Sequence, residues 1–454
     1  MIKRIIFLVF LTILVLQLLP AIVLSESVTV NTTSPVLKSA SAVLMDRKTG
    51  KVLYEKNMKE KHHPASLTKI LTSLLILENL DSDDVIVVGD EINALGKDSG
   101  KAGLKKGQKV PAHDLVWALM LPSGNDAAYT AAVNIARKKT GNPAMKVKEA
   151  IVYFSDMMNA QAKQMGAVDS NFTNPDGYPD PNHYSTAYDM ALISKEALKN
   201  NFFKEVASTY TYVKDQNVKS KSVVPDKDTE NIWFNKNLLI NPKSQFYYQY
   251  ATGIKTGYTL KAGYCLAAST SKNELELVSV ILNADSEDTR CTETKALFDY
   301  AFSNFSYRKI LTKGNIVCNV GVVRKYFGGS ANLNLLAGTD YSDLLSVEDY
   351  NSLEQSFIWD ESILSHNKNK MSEISFVGPV SRGQIVGKVR YTLNGSPLAE
   401  SDLVASSDAL KGDFADMIVK AWDNIFKNIY LLIGIFLFLI VFSFALLMRK
   451  RRRK

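Results

Sequence analysis

The sequence predicts an α+β domain, a smaller all-β domain after it, and a C-terminal helix apolar enough to cross a membrane. Three observations predict this. Strand-like alternation at both ends brackets a helical middle between residues 26 and 308, the pattern of an antiparallel sheet flanked by helices. Short alternating segments separated by turn residues fill residues 309–408. Twenty uncharged residues run from Ile429 to Met448, enough for a helix to span a hydrocarbon core of about 30 Å.

Within the first domain, Ser39–Met45 and Lys51–Tyr54 alternate around Asp46–Gly50 and read as a hairpin with a glycine turn. Apolar residues then recur at helical spacing over Ala65–Leu80, Ala112–Met120, Ala127–Lys138, Ala144–Met165 and Thr186–Lys199. Between Gly253 and Asn283, short β-rich runs separated by Lys, Gly and Asn predict antiparallel strands, and Thr289–Phe305 returns to helix. In the second domain, Ile316–Val323, Ala331–Leu336, Glu373–Phe376, Gly383–Leu393 and Asp402–Ala405 read as strands.

The chain has 454 residues, is 46% hydrophobic and 22% charged, and carries a formal charge of +8. That composition excludes a disordered or collagenous protein. A basic protein invites a nucleic-acid reading, but the excess sits at the ends: Lys3 and Arg4, then the six cations of residues 449–454. Between Glu26 and Met448 the charges cancel, so no nucleic-acid partner is expected.

The ends read as addresses. Lys3 and Arg4, the apolar run Ile5–Leu16 broken only by Thr12, and the small-residue site Val23-Leu24-Ser25 predict a secretory signal peptide over residues 1–25. An uncleaved N-terminal anchor is the alternative. Residues 409–428 form an amphipathic juxtamembrane segment, either lying on the membrane or acting as a stalk. Residues 429–448 are the expected span, and 449–454 a basic tail that stays cytoplasmic by the positive-inside rule. The expected product is a single-pass membrane protein with its folded domains on the extracytoplasmic face. Cys265, Cys291 and Cys318 fit no zinc spacing, and buried thiols are favoured over one bridge plus a free thiol.

Three short motifs carry chemistry. In Pro64-Ala65-Ser66-Leu67-Thr68-Lys69, Ser66 and Lys69 are one helical turn apart and share a face. A serine at a helix N-terminus also offers its own N–H to a developing oxyanion, and a lysine acting as base must be kept neutral by burial or a neighbouring cation. Ser123-Gly124-Asn125 forms a loop between two helices and presents a hydroxyl and a carboxamide. Lys255-Thr256-Gly257 opens a strand, unlike the same tripeptide pattern at Lys48–Gly50 and Lys139–Gly141. Each motif alone has decoys, and context separates them: Lys48–Gly50 is the hairpin turn and Lys139–Gly141 ends a helix with glycine as its C-cap.

S-x-x-K, S-x-N and K-T-G in this order resemble the serine penicillin-binding proteins and class A β-lactamases. Among these the chain is most similar to low-molecular-mass penicillin-binding proteins that are D-alanyl-D-alanine carboxypeptidases. The likeness runs through SAVLMDRKTGKVLYEKN, HHPASLTKILTSLLILE, LMLPSGNDAAYTAA, FTNPDGYPD, HYSTAYDMALIS and GIKTGYTLKAGYCLAAS, and the late FVGPVSRGQIVGKVRYTLNGSPLAESDLVAS resembles that family's β-rich domain. The resemblance implies a penicillin-binding/β-lactamase-like catalytic fold and an acyl-enzyme on Ser66. Lys69 would accept its proton, and Ser123 would relay protons to the leaving amine. Asn125 would bind the substrate peptide, while Lys255, Thr256 and Gly257 would receive the terminal carboxylate. The N–H groups of Ser66 and Tyr258 would form the oxyanion hole. It further implies a peptidoglycan stem peptide ending in D-Ala-D-Ala as substrate, β-lactams as covalent inhibitors, the cytoplasmic membrane as partner, and no metal or cofactor.

A β-lactamase needs a further carboxylate for its deacylating water, and NFTNPDGYPDPNHYS contains no Glu; Asp169, Asp176 and Asp180 read as turn residues. A Ser-His-Asp hydrolase would have to recruit His183, which reads as structural or substrate-adjacent. A DD-endopeptidase of cross-linked peptidoglycan, or an inactive wall-binding protein on the same fold, remain the alternatives.

Overall fold

The computed structural model describes residues 33–213, 218–220, 232–323, 330–364, 375–377, 379–409 and 414–451. The expected signal peptide lies outside them. The chain divides into two compact units between Asn304 and Phe305.

The first unit is built on a five-stranded sheet in the order Val52–Lys56, Ser41–Asp46, Leu275–Ala284, Gly263–Lys272, Ala251–Thr259. All pairings are antiparallel. The N-terminal hairpin therefore pairs with a strand more than 200 residues later, with Ser41 opposite Leu282 and Asp46 opposite Leu277. Every residue of Ser41–Asp46 is buried, so both faces of this strand are covered. Val43, Met45, Val278, Val280 and Leu282 share the main core with Met190 and Ile193 of the helix Ala187–Ala197. Helix Glu287–Asn304 packs on the same central strands.

The helical middle follows the predicted periodicity at Lys69–Asn79, Ala112–Met120, Asn125–Thr140, Val147–Gln164 and Ala187–Ala197. Thr186 caps the last of these by accepting the Asp189 N–H at 3.0 Å. Ile70, Leu71, Leu74, Leu75 and Ile76 of Lys69–Asn79 are all buried, each contributing about 1.5–3 kcal/mol of transfer energy. One expectation changes. Ser66 does not sit in the first turn of an α-helix; Ala65–Thr68 is a 3-10 turn, entered through Ala65 at φ +48°. Sequence periodicity also missed the helix Asn201–Ser208 and the small sheet of Thr211–Val213, Val218–Ser220 and Ile232–Phe234.

The second unit holds a six-stranded sheet in the order Glu354–Trp359, Ile385–Leu393, Ser396–Ala405, Ser330–Ala337, Ile316–Val323, Ser375–Val377. Its last pair is parallel and the others antiparallel. A two-stranded pair, Phe305–Leu311 with Tyr341–Ser346, accompanies it. Val320, Leu333, Leu335, Phe376, Val386, Val389 and Leu403 form its core. The C-terminal segment is one helix, Phe414–Arg451, whose stretch Ala421–Ala445 is long and apolar enough to cross a membrane.

Candidate active site

A cavity of about 730 Å³ in the first unit is lined by Ser66, Ser123, Asn125, Thr256, Gly257 and Tyr258, so the three motifs converge although nearly 200 residues separate the first from the last. Lys69 is fully buried, with its Nζ 2.9 Å from Ser66 Oγ. It also donates to the carbonyl of Asp176 at 2.7 Å. Lys255 is not among the lining residues; its side chain is buried and its Nζ donates to the Thr256 carbonyl at 3.0 Å.

Close backbone approach makes this convergence possible. The strand Ala251–Thr259 runs past the turn that carries Ser66, and a Cβ on Gly257 would lie 3.1 Å from Ser66 N and from the Pro64 carbonyl oxygen. Gly177 comes closer from the other side. At φ +83°, a Cβ there would lie 1.9 Å from the Ala65 carbonyl oxygen. Only glycine fits at that position. Ser123 also holds a left-handed backbone, at φ +64°. Ala65 and Ser123 are thus both non-glycine residues in a sparsely populated region beside the reacting groups, which the surrounding packing must enforce.

The packing around Ser123 is specific. The Asp126 carboxylate is buried and accepts the N–H groups of Ala102, Gly103 and Leu104 at 2.8–2.9 Å. Trp233 Nε1 donates to the Ala102 carbonyl at 3.0 Å, so both polar backbone groups of Ala102 are held. Asn125 N donates to the Gly100 carbonyl at 2.8 Å, tying the Ser123–Asn125 loop to the same segment. Trp233, Tyr212 and Trp117 stack behind it, with centroid distances of 5.9 and 4.5 Å.

Electrostatics follow from burial. Lys69 is pushed down to about 8, first by desolvation and then by the nearby Lys236, against the opposing carboxyls of Asp176 and Asp126. Lys255 is held well below the ordinary lysine range by desolvation and by the positive charges of Lys69, Lys236 and Arg290. A lysine of this kind is poised to exchange a proton with a hydroxyl at 2.9 Å.

Four contributors escaped the sequence reading. Asp176 does occupy a turn, accepting the Tyr178 N–H at 3.1 Å, but it also lines the cavity and its carbonyl holds Lys69. Burial raises its carboxyl above the usual range. Lys236 lines the cavity and would lie 3.9 Å from a Cβ on Gly100. Arg290 is buried and donates to the carbonyls of Gly257 and Cys265 at 3.0 and 3.2 Å, knitting the two strands together beside the cavity. Its charge is paired with Glu287. Asp126 anchors residues 102–104 through the three N–H bonds to its carboxylate. Asp176, Lys236 and Arg290 lack a local signature because they meet the motifs only through tertiary contact, and the partners of Asp126 lie over twenty residues before it.

His183 is structural. Its Nδ1 accepts the Thr173 N–H at 3.1 Å, so Nε2 carries the proton and donates to Thr68 Oγ1 at 2.8 Å. Burial pushes the ring down to about 3, which keeps it neutral. The three cysteines are free thiols, and burial raises Cys265 to about 11.

The comparisons with known proteins agree with this geometry. Residues 28–286 match the family described as D-alanyl-D-alanine carboxypeptidase, and residues 305–411 match the C-terminal domain of penicillin-binding protein 5. The chain is 30% identical over 389 residues to the D-alanyl-D-alanine carboxypeptidase DacF of Bacillus subtilis, covering 84% of this chain and 89% of that one. It is 27% identical over 406 residues to DacC of Escherichia coli, covering 87% and 90%. The crystal structure of penicillin binding protein 5 from Haemophilus influenzae superposes with a TM-score of 0.55 at 28% identity, covering 83% of this chain and 98% of that one. With the family match spanning more than half the chain, this protein belongs to the D-alanyl-D-alanine carboxypeptidases, serine-type hydrolases of the penicillin-binding class.

Proposed function

We propose that Ser66 is the nucleophile that removes the terminal D-alanine from peptidoglycan stem peptides, with Lys69 as its base. The observation that carries this is a fully buried lysine, lowered to about 8, with its Nζ 2.9 Å from the Ser66 hydroxyl.

In acylation, Ser66 Oγ attacks the penultimate D-Ala carbonyl carbon and its proton passes to Lys69 Nζ. The oxyanion forms against the N–H groups of Ser66 and Tyr258, a pairing supported by the close approach of the neighbouring Gly257 to Ser66 N. The C–N bond then breaks, and the proton moves through Ser123 to the leaving amine, releasing D-alanine. Asn125 holds the peptide on the acyl side. Thr256 receives the departing carboxylate at the cavity wall, and Lys255, buried behind the lining, attracts it by charge: the carboxylate favours the protonated form that burial disfavours. Water cleaves the ester in the second half, and the proton returns to Ser66. β-Lactams enter the same route and stop at the ester.

The C-terminal helix, long and apolar enough over Ala421–Ala445 to cross a membrane, supports a membrane-attached enzyme. The cationic residues after Met448 favour a cytoplasmic C-terminus, with both folded units on the opposite side, where peptidoglycan lies.

The test is to incubate the full chain with a D-Ala-D-Ala pentapeptide and with a cross-linked dimer, and to weigh the products. Loss of one alanine from the pentapeptide is expected, and cleavage of the dimer alone would make it an endopeptidase. Ser66→Ala should abolish labelling by a fluorescent penicillin while the circular dichroism spectrum is retained. Labelling that persists would mean another nucleophile.

A further inference from the structure

Residues 97–109 read KDSGKAGLKKGQK, five lysines and one aspartate in thirteen residues, a local surplus that acidic residues elsewhere between Glu26 and Met448 balance. All five lysines are exposed. Lys106 pairs with Asp90 at 2.7 Å, while Lys97, Lys101, Lys105 and Lys109 make no ion pair among the described residues. Other lysine-rich stretches exist, but this one borders the active site: Asp98, Ser99 and Gly100 line the cavity, with Lys97 and Lys101 on either side of them.

The segment is also fixed in place. Its centre is bolted down by the Asp126 carboxylate, by Trp233 Nε1 and by the Asn125 N–H to Gly100. A cationic strap held rigidly at a cavity mouth projects a field over the approach to the cavity. Such fields act over about a Debye length, roughly 8 Å at physiological ionic strength, and raise association rates by about 10–10³-fold.

We infer that the strap Lys97–Lys109 is a landing surface for polymeric peptidoglycan, engaging free carboxylates on stem peptides beside the one being cut. This rests on the carboxypeptidase reading of the cavity, which supplies the reason for choosing this polyanion over others. A short soluble peptide fits within the cavity and has no neighbouring stems to offer. The strap should therefore matter for the polymer and not for the monomer.

The experiment compares D-alanine release by the full chain, in detergent, from purified sacculi and from a soluble pentapeptide, at about 50 and about 500 mM salt. Wild type should lose about tenfold on sacculi across that range and less than about twofold on the pentapeptide. A Lys97→Glu/Lys101→Glu/Lys105→Glu variant should lose about tenfold on sacculi at low salt and become insensitive to salt. Its pentapeptide turnover and penicillin labelling should stay within about twofold of wild type. The Lys→Gln triple variant should fall between. Sacculus release untouched by charge reversal overturns the inference, and so does a parallel loss on both substrates, which would mean a disturbed cavity. Unchanged sacculus release with lost binding to anionic phospholipid vesicles would assign the strap to lipid instead. If wild type releases nothing from the pentapeptide, the reading of Ser66 fails first, separately from the strap.

Discussion

Lysines at the floor and at the rim of one cavity use the same side chain in opposite ways. Lys69 and Lys255 are buried, and desolvation pushes both ammonium groups toward the neutral amine. Lys97, Lys101 and Lys105 are in water and keep their charge available at long range. Burial turns a lysine into a base that acts over one hydrogen bond, whereas exposure makes it a source of field that acts over many ångströms. A count of basic residues cannot distinguish the two, because only position relative to solvent does.

The floor can be tested by removing its capacity to discharge. Lys69→Arg keeps a cation and a donor near Ser66, but a guanidinium does not lose its proton in proteins. Acylation by a fluorescent penicillin should fall about 10³-fold or more in stopped-flow measurements, within the range general-base catalysis contributes. A fall smaller than tenfold would mean that Lys69 acts by charge, as the rim lysines do.

The pH profile sharpens the same contrast. Lys69 must be neutral to accept the Ser66 proton, so the active fraction grows as pH rises towards about 8 and is complete above it. The acylation rate should climb about tenfold per unit below that point and level off beyond it, a rise of roughly 10² between pH 6 and 8. The strap variant should give the same curve, because its charges lie in solvent.

A smaller effect is expected from Gly257→Ala. The added Cβ meets Ser66 N and the Pro64 carbonyl oxygen at 3.1 Å, so the nucleophile turn must yield by a few tenths of an ångström. Displacements near 1 Å cost about 10²-fold, and this one should cost about tenfold in kcat with the pH midpoint unmoved. A shifted midpoint would show that the turn also sets the environment of Lys69.

The parts of the molecule legible in sequence are those that are local along the chain. Ser66 and Lys69 are three residues apart, Ser123 and Asn125 flank one glycine, and Lys255–Gly257 lies in a β-rich run, so the motifs could be found in sequence while the family resemblance supplied their expected roles; the strand begins earlier than expected, at Ala251. The long helices were legible for the same reason, through periodic burial such as Leu71, Leu74 and Leu75. Lys236, Asp176 and Arg290 were not, since their neighbours in the cavity come from segments up to about two hundred residues away. The 3-10 turn at Ala65–Thr68 was hidden because apolar periodicity reports which face is buried and not which hydrogen bonds close the turn. The strap was masked by averaging, its surplus cancelled by acidic residues elsewhere in the chain.

The two glycines that wall in the nucleophile carry a consequence for drug resistance. A side chain at Gly177 or Gly257 would press on the turn that bears Ser66, and under the proposed mechanism should slow the wall peptide and the antibiotic together. A variant target that spares the first and rejects the second therefore has to arise further out. Tyr178, Tyr258 and Leu260 line the cavity yet stay exposed, so they are positions where a side chain can change without moving that turn.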